Sequence, residues 1–145
     1  MKLALTFSDP AMVQYLQPQL RELLGDGVDL LFCNEWEAKS FAGSDDLDVA
    51  LTALRQVAQM GVLTRGAEGA WAWTQHAILE LPAVPVKAID TLGAGDSVAG
   101  AVLHGLSQGW TLEQSTRLAL KTASAVVSQY GPRLRLAGYR ALLEA

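Results

Sequence analysis

Residues 90–96 read Asp90-Thr91-Leu92-Gly93-Ala94-Gly95-Asp96 and run directly into the small apolar stretch Ser97-Val98-Ala99-Gly100-Ala101. The preceding residues, 84–89, are mostly apolar and read as a strand, so the glycines fall between a strand end and a helix start. A glycine-rich turn in that place leaves backbone N–H groups unpaired at the positive end of the helix dipole, and together these attract an anion. Asp96 falls in the first helical turn, where the same dipole favours its ionised form.

A carboxylate beside an anion hole repels a resting phosphate, unless its task is to take a proton from a nucleophile that attacks it. Phosphoryl transfer needs that pairing: donors for the transferring oxygens and a carboxylate that orients and deprotonates the acceptor hydroxyl. The bland alternative, a turn and a helix cap with no chemistry, stays open on these seven residues alone.

Two further segments bear on the choice. Asn34-Glu35-Trp36-Glu37 has the spacing of a capping box, with Asn34 as cap and Glu37 at the third helical position. Thr64-Arg65-Gly66-Ala67-Glu68-Gly69 follows an apolar run and reads equally well as hairpin punctuation. The order of elements points to an α/β fold with a mostly parallel sheet, flanking helices, a β-hairpin and a helical last third. A buried strand is expected over residues 2–7. Asp9 and Pro10 then start a helix that Pro18 kinks or splits before Gly25 and Gly27.

Residues 29–33 form a second strand, followed by a helix from Asn34 to near Gly43. Apolar residues at helical spacing predict another helix over 46–60, and residues 62–64 enter the sheet. Residues 70–74 and 78–81 suggest a hairpin on which Trp71 and Trp73 form one exposed or interface-facing aromatic face, with packing favoured over ligand stacking. Helices are expected over 95–108, over 111–130 behind a Thr111/Gln114 capping box, and over 136–144. No repeat or linker divides the chain, so residues 1–145 are read as one unit.

The chain has 145 residues, half of them hydrophobic and 18% charged, and a net charge of −4. That argues against disorder, and no apolar run approaches the ~18 residues a membrane span needs. The basic residues are scattered apart from Arg133 and Arg135, which speaks against nucleic-acid binding. A single cysteine and no long apolar leader point to a reducing cytoplasm. Cys33, His76 and His104 lack zinc-ligand spacing, and Ser97 and His104 lack an acidic partner for a hydrolase triad. No P-loop sequence occurs.

Asp-Thr-x-Gly-Ala-Gly-Asp over residues 90–96 resembles the signature of the ribokinase-like (PfkB-type) carbohydrate and nucleoside kinases. The Asn-x-x-Glu at 34–37 and the Thr-x-Gly at 64–66 stand in that family's order. The resemblance implies ATP and Mg²⁺ as cofactors and a nucleoside or sugar as acceptor, with the adenosine-kinase side of the family the nearer. It assigns the catalytic base to Asp96 and the anion hole to Gly93, Ala94 and Gly95. It assigns organisation of Mg²⁺ to Asn34 and Glu37, and nucleotide contacts to Thr64, Gly66, Asp90, Thr91 and Gly131. Backbone carbonyls of residues 123–131 lie, by the same resemblance, near the adenine and a monovalent cation such as K⁺.

In the family an N-terminal half supplies the first strands, a small lid and the residues that grip the sugar. None of these is recognisable ahead of Lys2. The resemblance therefore implies the C-terminal half only, completed by a missing N-terminal half or by self-association through exposed apolar surface. A noncatalytic nucleotide-binding remnant is the alternative expectation.

Overall fold

The computed structural model describes residues 2–144. Their contacts form two compact units: the first runs through Arg65 and includes Trp71–Leu79, and the second comprises Gly66–Ala70 and the residues from Glu80 onward. Five strands lie in the order β1-β2-β3-β4-β5. They are β1 (Ala4–Thr6), β2 (Val28–Asn34), β3 (Ala58–Thr64), β4 (Ala70–Trp73) and β5 (Ile78–Leu81). The first three are parallel, with Ala4 opposite Leu30, Val28 opposite Ala58 and Asn34 opposite Thr64.

In the first unit the connections are helical. Asp9 caps α1 (Pro10–Tyr15) by accepting the Ala11 amide at 2.6 Å, and Pro18 sits in the first turn of α2 (Gln17–Leu24), so the expected helix is split at Leu16. Strand alternation places Leu31, Cys33 and Leu63 in the core with Phe41, Leu51 and Leu54 of α3 (Glu35–Ala42) and α4 (Leu47–Val57). Leu30, Phe32 and Val62 are also buried, on the other face.

Gly61 is forced by close approach. A Cβ there would fall inside the Trp73 ring and 2.7 Å from the Leu31 carbonyl oxygen. Gly61→Ala should therefore cost about 1–3 kcal/mol or more by overpacking, read as a lowered urea midpoint. A wild-type midpoint would show that Trp73 swings aside freely.

Four expectations need correction. The first strand is three residues long and mostly exposed rather than buried, because it is an edge with β2 as its neighbour and Ser8, at φ 64°, turns the chain away. The helix predicted over 46–60 stops at Val57, and β3 begins at the next residue: Ala58 continues the helical spacing of apolar residues but pairs with Val28.

The strand expected over 84–89 does not form. Pro82 and Pro85 have no N–H to offer a ladder, and Val84, Val86 and Ile89 are exposed. Finally, Trp71 and Trp73 pack, as favoured, but not as an exposed aromatic face. Trp73 is 1% exposed and donates its Nε1–H to the Ala58 carbonyl at 3.4 Å, while half-buried Trp71 lies under the Arg65 guanidinium, 4.6 Å away.

In the second unit α5 (Ala94–Ser107) and α6 (Leu112–Val127) pack through Val98, Val102, Ala119 and Val126, all buried. The Thr111/Gln114 capping box forms as predicted, but α6 ends at Val127 rather than at Tyr130. The last helix, α7, spans Leu136–Glu144. Among the described residues no helix is long and apolar enough to cross a membrane.

Candidate active site

The first unit brings Asn34, Glu37 and Thr64 to one place. Asn34 and Thr64 end β2 and β3 as register partners, at the carboxyl ends of parallel strands, where α/β folds commonly bind ligands. Asn34 and Glu37 form the capping box the spacing predicts: the Glu37 amide donates to Asn34 Oδ1 at 2.8 Å and the Asn34 amide to Glu37 Oε2 at 2.9 Å. Thr64 Oγ1 donates to the Cys33 carbonyl at 3.5 Å. Beside them Glu35 accepts from Lys39 Nζ at 2.6 Å and has Arg65 Nε at 4.0 Å. Nothing in the sequence pattern marked Glu35, Lys39 or Arg65.

Glu37 is 4% exposed. Burial pushes its carboxyl above the ordinary glutamate value and the negative charge of Asp9 adds to the rise, while the Asn34 amide bond opposes both. Folding thus favours the protonated form. That contribution is fully present below the unfolded value and is lost as pH rises through the folded one. Glu37→Gln keeps an oxygen for the Asn34 amide but never ionises. It should gain on the wild type in urea midpoint as pH is raised from 4 to 7, and a difference that stays flat across that range would contradict this account. Burial, with Glu37 nearby, also holds the Cys33 thiol well above its usual value, so it is inert rather than nucleophilic.

The second unit holds the glycine-rich turn. Gly93 occupies the cap position of α5 at φ 77°, with no side-chain cap. Its missing side chain is a steric necessity, because a Cβ would lie 2.5 Å from the Pro132 carbonyl oxygen. The Ala94 amide donates to Thr91 O at 3.2 Å and the Ser97 amide to Gly93 O at 2.9 Å. Between them the Gly95 and Asp96 amides have no acceptor among the described residues.

A Cβ on Gly95 would meet nothing within 4 Å, so the approach to these amides is open. Asp96 is exposed and opens onto a groove of about 730 Å³, whose walls include His104 of α5, Thr122 of α6, Tyr139 of α7, and Arg133 of the segment before α7. His104 lacks in the sequence the partners that zinc or a hydrolase triad needs, and Tyr139 carries no signal there. Asp90 and Gly131, both expected on the nucleotide side, are direct partners: the Gly131 amide donates to Asp90 Oδ2 at 3.0 Å. Thr91 is exposed in the same turn. Gly66 opens a single 3-10 turn, Gly66–Glu68, and accepts the Gly69 amide at 3.1 Å.

The residues fit the groups the sequence implies in different ways. Open amides at a helix start suit phosphate oxygens. Among the described residues no cluster of three or more His, Cys, Asp or Glu could cage a metal. Glu37 and Asn34 instead suit a Mg²⁺ that keeps most of its waters and leans on substrate phosphates.

Parallel strands with helical crossovers, a hairpin and a glycine-rich turn opening a long helix together define a ribokinase-like α/β fold. The pfkB family carbohydrate kinase pattern matches residues 2–137, and the chain belongs to that family. It is 36% identical over 116 residues to the cytidine kinase of Thermococcus kodakarensis, spanning 77% of this chain and 41% of that one. Identity to the adenosine kinase of Saccharomyces cerevisiae is 30% over 141 residues, 88% of this chain and 41% of the relative. The crystal structure of adenosine kinase from Sinorhizobium meliloti superposes with a TM-score of 0.92 at 30% identity, covering 99% of this chain and 44% of that one. The chain thus spans less than half the length of each relative.

Proposed function

We propose that residues 1–145 are the nucleotide-binding, proton-accepting portion of an ATP-dependent kinase that phosphorylates a hydroxyl of a nucleoside or sugar. The observation that carries this reading is the first turn of α5, where two unpaired amides and an exposed carboxylate face open space. The open amides of Gly95 and Asp96 would receive the oxygens of the transferring phosphoryl group, with Gly93 shaping the turn, whereas the Ala94 amide expected among them is held by the Thr91 carbonyl. Asp96 would accept the acceptor's proton as the new O–P bond forms and the bond from the γ-phosphorus to the bridging oxygen breaks, releasing ADP. Thr64, Gly66, Asp90, Thr91 and Gly131 lie on the nucleotide side of this scheme.

Asn34 and Glu37 would hold the water shell of Mg²⁺, which supplies neutralising charge to the phosphates. The carbonyls of residues 123–131 would take a monovalent cation such as K⁺. A nucleoside acceptor is favoured by the relatives named above, which include cytidine and adenosine kinases. The alternative reading is a nucleotide-binding protein without transfer.

Transfer from ATP to adenosine, cytidine and ribose separates the two. It is measured on the chain itself and on the chain joined to the N-terminal portion of a relative. Transfer in either form supports the kinase; ATP binding without transfer in both supports the second reading, and no ATP binding rejects both.

A further inference from the structure

Helix α3, which carries Glu37 in its first turn and Asn34 as its cap, meets at each end an arginine that lies over an aromatic ring. At the C-terminal end Arg21 of α2 donates its Nη2–H to the Phe41 carbonyl at 3.1 Å and lies 4.5 Å over the Phe41 ring. At the N-terminal end the arginine comes from the sheet. Arg65, the residue after β3, lies 4.6 Å over the Trp71 ring of β4 and has its Nε 4.0 Å from Glu35 Oε2. Glu35 is the first residue of α3, and its other oxygen accepts from Lys39 one turn along, at 2.6 Å. One carboxylate thus joins the sheet to the helix, with an oxygen for each.

The strand ladder sets the spacing of Asn34 and Thr64, but it does not set the direction in which α3 leaves β2. The Asn34/Glu37 capping box and the Lys39 bond are internal to the helix and turn with it. The Arg65–Glu35 contact crosses from the end of β3 to the first turn of α3. Both side chains are partly withdrawn from water, so the pair is screened less than one on the open surface. A guanidinium laid on an indole is also ordered in advance.

We infer that Arg65 is a positioning residue: through Glu35 it fixes the first turn of α3 against the end of β3, and so sets Asn34 and Glu37 beside Thr64. What those residues hold, Mg²⁺ and the nucleotide phosphates, rests on the function proposed above; the tether does not.

The test measures calorimetric binding of ATP, with Mg²⁺ and with EDTA, together with amide hydrogen exchange. Arg65→Ala should weaken ATP about fivefold in Mg²⁺ and less than about twofold in EDTA. Arg65→Lys keeps the charge without the flat stack and should recover part of the loss. Glu35→Gln should match Arg65→Ala, and the double variant should be little worse than either, because the two side chains act as one contact. Exchange at the amides of residues 34 and 37 should quicken in Arg65→Ala and Glu35→Gln. Arg21→Ala, at the far end of the helix, should lower the urea midpoint while leaving the Mg²⁺ effect and those two amides as in the wild type.

Equal weakening in Mg²⁺ and EDTA would reduce Arg65 to a general structural role and overturn the inference, as would effects of Arg65→Ala and Glu35→Gln that add in full. Should Arg65→Ala fail to fold, Arg65→Lys and Glu35→Gln carry the same comparison. A wild type that binds no ATP in either condition rejects the proposed function. Exchange at residues 34 and 37 then decides the tether, and rates unchanged by these substitutions overturn it.

Discussion

In a transfer-competent form of the protein, Asp96→Asn should lower kcat by about 10²–10⁴-fold, the usual contribution of a positioned acid or base. ATP affinity should hold or tighten. The substitution is nearly isosteric and sits on an exposed helical first turn, so the fold has no reason to respond. What changes is the proton acceptor, because an amide oxygen cannot take the hydroxyl proton. A carboxylate beside the anion hole also repels a bound phosphate, and removing its charge relieves that repulsion. Opposite movements of kcat and Kd would distinguish loss of the base from loss of the site. Transfer at the wild-type rate with Asn at position 96 would mean that the base lies elsewhere.

Gly93→Ala and Gly95→Ala should differ sharply although they stand two residues apart. At Gly93 a side chain meets two penalties. The left-handed backbone, φ 77°, costs a non-glycine residue about 1–2 kcal/mol, and a Cβ 2.5 Å from the Pro132 carbonyl adds about 1–3 kcal/mol of overpacking. The sum, roughly 2–5 kcal/mol, is a large part of the stability of a domain this size and should lower Tm by roughly 10 °C or more. Nucleotide binding should be lost with it.

At Gly95 the backbone is helical and the space is empty, so alanine should leave Tm unchanged or raise it slightly. The new methyl group would instead stand where a phosphate must approach the amides, weakening ATP in a well-folded protein. Thermal melts of the two variants read one difference and ATP titrations the other. A Gly95→Ala protein that binds ATP normally would place the phosphates away from this turn.

Local rules account for the parts of the structure that were legible in the sequence. The capping boxes at Asn34/Glu37 and Thr111/Gln114 are set by a spacing of three, and the split before Pro18 by a missing N–H. The turn at Gly93 follows from its own residues. Rules of this kind failed where a pattern ran past a boundary set by the sheet. The helical spacing through Leu47, Leu51, Leu54 and Ala58 does not reveal that Ala58 already faces Val28 across a ladder. The valines and isoleucine of 84–89 look like a strand until Pro82 and Pro85 are weighed against the ladder they would have to join.

The site shows the same division. Asp96 and the glycines announced themselves in one heptapeptide. The burial of Glu37, the packing of Arg65 on Trp71 and the bond from Gly131 to Asp90 each depend on tertiary placement, and no periodicity encodes them.

Asn34 opposite Thr64 has one more consequence. Neighbouring strands lie about 4.8 Å apart, and side chains alternate faces along each, so two residues at matched positions keep their spacing and their face together. Removing a single residue from β3 would send the residue now at position 64 to the far side of the sheet while leaving Asn34 where it is. Loops around this corner can change length without disturbing the pair. The two strands cannot, and the geometry on which any ligand there depends is therefore fixed by counting residues in β2 and β3.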